Sequence, residues 1–302
     1  MRSARAIFAM LACCGAAAAH AASLNATASF LSLEASPRSA ALAGLSAAGS
    51  DVLAVVSNPA NLGDRQALPA VSLAGHRVAG ADTFVGAAAG FGTKWADLGA
   101  YVTSIGTAPF DRMDAFFALQ TESLAYRGTA AGLVAARMLG PVRAGLTAKY
   151  VGESYGAARA SRGAVACDGG ANFSWGWGTL WAAVANAGTP LAVQPLPIAV
   201  TAGGAWLSHD GVMPLGAQVK FQAGALSIAA GAEWAPAPWT VFRAGLGGDV
   251  QRPDGAPSLF LPSLGLGFRF LGFVLDYAVV WDAGLPPTHR AGFSWNASPR
   301  GG

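Results

Sequence analysis

From about Leu68 to the C-terminus, apolar residues recur at every second position, and this period constrains the chain more than any other feature of it. Between Pro141 and Gly152, Val142, Ala144, Leu146, Ala148 and Tyr150 alternate with Arg143, Gly145, Thr147 and Lys149. Between Leu215 and Ala223, alternate apolar residues are separated by Gly216, Gln218, Lys220 and Gln222. Between Leu226 and Trp234, they are separated by Ser227, Ala229, Gly231 and Glu233. Arg269 sits among Leu266, Phe268 and Phe270, and Asp276 among Phe273, Leu275 and Tyr277. A strand sends successive side chains to opposite faces, so this pattern is a succession of two-faced strands.

Alternation alone fits a soluble sandwich as well as a membrane barrel. Composition separates the two. Only 12% of residues are charged, where a soluble domain carries about 25%. The polar phase of the pattern is mostly Gly, Ser, Thr and Gln, too lean for a surface facing water. Gly, Pro or charged residues break every apolar run beyond the N-terminus, so no stretch supplies the roughly 20 apolar residues of a membrane helix. In an outer-membrane barrel the apolar phase meets lipid and the small or polar phase lines the lumen. The sequence therefore predicts an all-β transmembrane barrel over 68–302. At roughly 16 residues per strand and turn this gives about 14 antiparallel strands, each long enough to cross on a tilt. The scattered net charge of +3 includes no basic tract and argues against nucleic acid as a partner.

Residues 1–21 read as a signal peptide. Arg2 and Arg5 precede the apolar Ala6–Ala19, and Ala19-His20-Ala21 fits small-x-small cleavage, so the mature chain starts near Ala22. Cys13 and Cys14 leave a lipoprotein as the alternative. If cleavage follows Ala21, only Cys167 remains, and one cysteine closes no internal disulfide.

Residues 22–67 lack strict alternation. Ser39–Val56 is rich in Ala and Leu and can hold a short helix. It ends in Ser57-Asn58-Pro59-Ala60-Asn61-Leu62-Gly63, where Pro59 turns Asn58 away from helix. A barrel of about 14 strands is wider than the roughly eight-strand size that its own side chains fill. This segment is the natural plug, and a periplasmic tail is the alternative. Clusters such as Gly140-Pro141 and Ala235-Pro236-Ala237-Pro238 read as tight turns, and Gly152–Gly163 and Asp249–Ser258 as external loops. The Trp and Tyr residues near segment ends, Trp95, Tyr101, Trp175, Trp181, Trp234, Tyr277 and Trp281 among them, fit aromatic girdles at both interfaces.

These residues resemble the PorV/PorQ-type outer-membrane proteins, a group related to the FadL fatty-acid transporters. The resemblance is carried by Arg38, Gly44, Asp51 and Asn58-Pro59-Ala60-Asn61-Leu62 near the N-terminus. It continues through Lys149-Tyr150, Asp168-Gly169, Asn186-Ala187-Gly188 and Pro195-Leu196-Pro197 to Asp276-Tyr277-Ala278 and Thr288-His289-Arg290. It implies a monomeric barrel with a hatch built on Arg38, Gly44, Asp51, Asn58, Pro59, Ala60 and Leu62. It implies one of two roles: a conduit or binding site for hydrophobic small molecules, or a docking component of a type IX-like secretion system. Outer-membrane lipid is the expected surrounding partner in both.

The search for chemistry returns little. His76, His209 and His289 have no second His or Cys at metal-ligand spacing, and no G-x-S-x-G elbow is present. No cofactor, metal or catalytic residue is expected. His76 reads as a strand-end histidine at headgroup level. Charge on the lipid face near the midplane costs about 2–4 kcal/mol for Arg or Lys. Arg143, Lys149, Lys220, Arg243 and Arg269 should therefore point inward, facing Asp97, Glu233 and Asp276. They form either a paired network that holds the hatch or a ladder for a substrate headgroup.

Overall fold

The computed structural model describes residues 27–46, 51–63, 68–78, 82–107, 110–113, 119–156, 160–206, 213, 215–251, 260–282 and 285–297. The expected signal peptide, with Cys13 and Cys14, lies outside the described residues.

Sixteen strands follow in chain order: β1 (Ala70–Val78), β2 (Asp82–Gly92), β3 (Asp97–Gly106), β4 (Phe110–Met113), β5 (Leu119–Leu124), β6 (Tyr126–Leu139), β7 (Val142–Tyr155), β8 (Ala160–Trp175), β9 (Gly178–Gly188), β10 (Ala199–Trp206), β11 (Leu215–Gln222), β12 (Ala225–Ala237), β13 (Thr240–Gln251), β14 (Phe260–Phe270), β15 (Phe273–Asp282) and β16 (Leu285–Asn296). Fourteen of them close into one antiparallel barrel, sealed where β1 pairs with β16. The strands β4 and β5 form a separate two-stranded sheet, and β3 pairs directly with β6. Closure leaves no unpaired edge, which is what lets strands cross hydrocarbon.

The alternation resolves as an outer apolar face and an inner mixed face. Leu133 and Leu146 are 71% and 69% exposed on the outside. Their chain neighbours on the inward phase, such as Val134 and Thr147, are buried. An apolar exterior running around a whole barrel is a surface for lipid. Among the described residues no helix is long and apolar enough to cross a membrane.

The two ends differ. Five connections at one end are short: Gly92 to Asp97, Leu139 to Val142, Trp175 to Gly178, Ala237 to Thr240 and Phe270 to Phe273. The other end carries the β4–β5 excursion and the connections Gly188 to Ala199 and Gln251 to Phe260. Short turns mark the periplasmic end of such barrels and longer loops the external end.

Several expectations need correction. Trp95, Trp175, Trp177, Trp206, Trp234, Trp239 and Trp295 all lie at the short-turn end, with Trp281 at the other, so the tryptophans gather mainly at one side. Trp175 packs on Phe173 and Trp177, and Trp177 on Trp206. Trp181 and Tyr101 belong to neither girdle; both point into the lumen and are buried. Tyr277 sits mid-strand on the outer face. Strand β12 runs on through Ala235-Pro236-Ala237, with a register shift against β13 between Trp234 and Ala237. A bulge is where a strand tolerates proline, since no ladder N–H is needed there. Most of Gly152–Gly163 is ladder too, because β7 and β8 stay paired up to Tyr155 and Ala160. Asp249–Gln251 closes β13, and 252–259 lie outside the described residues.

Candidate functional site

The lumen is filled by the segment before β1. It starts near the external end, where Thr27 donates to Glu153 near the end of β7 and to the Pro195 carbonyl. It leaves at the periplasmic end through Leu68 into β1. Between these points it folds through single turns, three of them capped by a short polar side chain. Helix α1 (Pro37–Ala41) has Pro37 in its first turn and the Ser36 hydroxyl accepting from the Ser39 N–H at 3.1 Å. It ends at Gly44, whose φ of +84° is open to glycine without strain. Asp51 caps the 3-10 turn Val52–Val56, its carboxylate accepting from the Ala54 N–H at 3.1 Å and from the Ser36 hydroxyl at 2.8 Å. Burial, with Asp276 nearby, holds the Asp51 carboxyl above the usual carboxylate range.

The Asn58-Pro59-Ala60 element forms a second 3-10 turn, Pro59–Asn61, with Asn58 in extended conformation as its cap. The Asn58 carboxamide accepts from the Ala60 N–H at 3.0 Å and donates to Asn172 at 2.8 Å. Asn172 in turn donates to Asn61 at 3.0 Å. Three asparagines thus bolt the turn to β8. Leu62 is fully buried, and its carbonyl accepts from Arg143, which also pairs with Asp97. Replacing Asn58 by Ala removes a cap worth about 0.5–2 kcal/mol and takes one donor from the Asn172 carboxamide oxygen. A thermal-unfolding midpoint equal to wild type in detergent would count against this reading of the turn.

The wall admits the hatch through glycines on its inward phase. A Cβ at Gly145 would land on the backbone of Pro59 and Ala60, and one at Gly245 on the backbone of Leu42 and Ala43. Leu62 fits between Gly90 and Gly99. The 40 glycines of the chain are in part the mould of the hatch.

The predicted inward charges all point inward, and two of them, Arg143 and Glu233, hydrogen-bond to the hatch. Arg38 lies against Glu233 with two hydrogen bonds of 2.8 Å. The same carboxylate accepts from Arg243 at 2.8 Å, and Arg243 reaches Asp276 at 2.6 Å. Glu233 also accepts from the Met213 N–H at 3.0 Å. Every side chain in this chain of contacts is nearly inaccessible to solvent. Arg269 faces the same cluster without a hydrogen bond from its guanidinium to the described residues. Gly44 contributes its carbonyl, which accepts from Gln218.

A second cluster forms on β7 to β9. Lys149 donates to Asp168 at 2.8 Å and to the Asn186 carboxamide at 2.6 Å. The pairing of β8 with β9 shifts between Cys167 and Gly169, and Asn186 takes a φ of +65° there. This bulge turns Asn186 inward, where its N–H donates to Asp168 at 2.7 Å. Sequence reasoning gave no role to Asp168, Asn172, Asn186, Gln218 or Glu153. Their one available signal was position on the inward phase, which is weak in the small-residue strand β8.

Lys220 stands apart. It makes no hydrogen bond or ion pair to the described residues, and it lines two cavities in the external half of the lumen. One is a narrow slot of about 50 Å³ between the hatch tip and the wall, bordered by Phe30, Leu53, Phe84 and Tyr101. The other, of about 310 Å³, lies towards β11–β16 and is bordered by Ile228, Leu261 and Trp281, with Glu34, Asp249 and Arg290. The slot reaches Ser57 but not Asn58 to Leu62, which are buried, except that Pro59 and Ala60 touch the wall directly. His76 does not face the lipid headgroups. It is buried on the inward face, stacked on Phe84 with ring centroids 4.4 Å apart. Among the described residues no three His, Cys, Asp or Glu side chains are grouped to hold a metal.

No protein-family model and no curated protein matches the sequence. Solved structures do match. The crystal structure of the Pseudomonas putida toluene transporter TodX aligns with a TM-score of 0.62 at 11% identity, over 87% of this chain and 96% of that one. A TodX deletion mutant described as a monoaromatic hydrocarbon channel aligns at 0.62 with 12% identity, over 85% and 98%. The fold is that of a TodX-type barrel. At this identity the likeness concerns architecture alone. It agrees with the FadL side of the resemblance read from the sequence and gives no support to the PorV/PorQ side.

Proposed function

We propose that the chain is an outer-membrane conduit or binding site for hydrophobic small molecules, non-enzymatic, with its hatch closing the periplasmic half. The observation that supports this most is the pair of luminal cavities above the hatch, with the unpaired Lys220 ammonium between them. Both cavities combine apolar side chains with convergent polar and charged ones, groups that can orient a small molecule. The TodX-type architecture and the apolar exterior support an outer-membrane setting for such a site. The hatch residues Arg38, Gly44, Asp51, Asn58, Pro59, Ala60 and Leu62 act in this reading as the gate's frame, and Arg143, Lys149, Glu233, Arg243, Arg269 and Asp276 as its anchorage.

Lipid analysis of protein purified in mild detergent, with uptake into proteoliposomes alongside, tests the reading. Finding neither a bound apolar molecule nor uptake of any hydrophobic probe would sink it. Lys220→Met sharpens the test. Affinity for a fluorescent long-chain carboxylate should fall about tenfold, which is about 1.4 kcal/mol, and affinity for toluene should stay unchanged. An equal loss for both probes would remove Lys220 as a headgroup contact.

A further inference from the structure

Near the closing seam the outer face carries a polar cluster that the lumen does not explain. On the external half of the barrel, across the closing seam, Arg77 of β1 is paired in register with His289 of β16 and with Thr83 of β2. All three side chains point outward, into a face whose nearby exposed residues include Val71, Leu73, Val85 and Phe293. Arg77 makes no hydrogen bond or ion pair to the described residues. The His289 Nδ1 lies 2.6 Å from the Tyr277 hydroxyl. With Tyr277 donating, the ring proton sits on Nε2, directed away from the barrel wall. The outward residues of the register rows on either side are Tyr277, Ala291, Gly75 and Val85 below, and Val279 and Gly106 alongside. None of these is a carboxylate, and Asp82 in the next row belongs to the inward phase of β2.

Beneath these groups the face is hollow. Gly75 and Ala291 are the smallest residues of their row, and they floor a depression of about 420 Å³ whose rim includes Arg77, His289 and Tyr277. Val85 is shared with a second depression of about 310 Å³, bordered by Leu73, Ala87 and Val102 and almost wholly apolar. The two run in sequence from the external end towards the midplane. Together they form a groove with a cationic, donor-rich head and an apolar tail.

We propose that this groove is a docking site for a phosphate-bearing lipid of the outer leaflet. The phosphate sits against Arg77, Thr83 and the His289 Nε2–H, and an acyl chain lies over Gly75 and along Leu73, Ala87 and Val102. Charge complementarity selects the head: a guanidinium and an imidazole N–H with no carboxylate among these outward neighbours match a phosphate's geometry and charge. The position of the head on the external side of the apolar band selects the leaflet. The inference rests on the barrel spanning an outer membrane and not on what its lumen carries.

The test is native mass spectrometry of the full barrel in mild detergent, titrated with bisphosphorylated lipid A, with its dephosphorylated form and with inorganic phosphate. The bisphosphorylated lipid should bind at least tenfold more tightly than the dephosphorylated one, and inorganic phosphate should not compete at millimolar concentration. Arg77→Gln with His289→Gln should abolish the preference. Gly75→Leu should weaken both lipids together by filling the groove. Arg137→Gln, an outward arginine at the other end of the barrel, should change nothing. Equal binding of the two lipid forms, or a preference that survives the double variant, overturns the proposal. Competition by inorganic phosphate also overturns it, in favour of a free-anion site. Failure of the barrel to insert into liposomes at all would instead overturn the membrane reading beneath it.

Discussion

Replacing Glu233 by Gln will unseat the hatch and raise the conductance of the barrel. Among the described residues Glu233 is the carboxylate that touches both a hatch cation, Arg38, and a wall cation, Arg243. Around it the buried cluster sets Arg38, Arg243 and Arg269 against Glu233, Asp276 and Asp51. Glutamine keeps the volume and one acceptor but removes the negative charge that Arg38 and Arg243 share. Breaking a buried pair by neutralising one partner costs about 3–5 kcal/mol, since the charge left behind stays desolvated. Arg243 and Arg269 cannot escape, because their strands are locked in the ladder on both sides. Arg38 can escape, by leaving the lumen with α1. The cost therefore falls on the seated hatch and shifts its equilibrium by a factor on the order of 10² to 10³. Single-channel recording in planar bilayers should show long open events that wild type lacks. Adding Arg38→Met to Glu233→Gln removes the stranded cation from the hatch, so the double variant should leak less than the single one. Wild-type conductance in Glu233→Gln would show that this cluster does not hold the hatch.

The inward placement of Glu233, Arg243 and Asp276 was legible in the sequence because burying a charge in lipid is so costly that alternation alone assigns its face. The closed barrel of 14 strands was legible for the same reason: the period and the lack of charges leave no other solution. The partnership of Arg38 with Glu233 was not legible. They are 195 residues apart, and no local pattern says which inward anion a hatch cation will meet. The aromatic residues were misread because the alternation rule assumes a wet lumen. A lumen filled by a hatch needs apolar groups on its inner face too. Trp181 donates to Gln218 there, and Tyr101, Phe84 and Val151 pack around the hatch's Phe30, Val52 and Leu53. His76 follows the same logic, stacked inside on Phe84 rather than lying at an interface. Loop assignments failed where ladder bonds outlast polar sequence. Gly152 to Gly163 reads as a loop, but backbone pairing depends little on side-chain polarity where a strand rises past the apolar band.

Substituting Gly145 by Val should destabilise the barrel by about 3 kcal/mol, against the sign that strand propensity gives. In an ordinary strand, Val replaces Gly favourably, over a propensity range of about 1 kcal/mol. Here the new Cβ would overlap the Pro59 carbonyl carbon and the Ala60 nitrogen. Neither side can yield. Strand β7 is paired along its length with β6 and β8. The Pro59–Asn61 turn is held by Asn172, and Leu62 behind it by Arg143. Overpacking of this kind costs about 1–3 kcal/mol, and more when backbone rather than a side-chain tip is struck. Gly169 of β8 supplies the control. It is paired in register with Leu146, the residue after Gly145. A Cβ there meets only the Leu146 side chain, at an ordinary 3.7 Å. Gly169→Val should therefore be neutral or mildly stabilising, while Gly145→Val lowers the unfolding midpoint in detergent and exposes Asn58–Leu62 to protease. The two variants differ in what stands opposite the new methyl groups, so equal midpoints would mean that the hatch does not press on β7 as closely as the glycine requires.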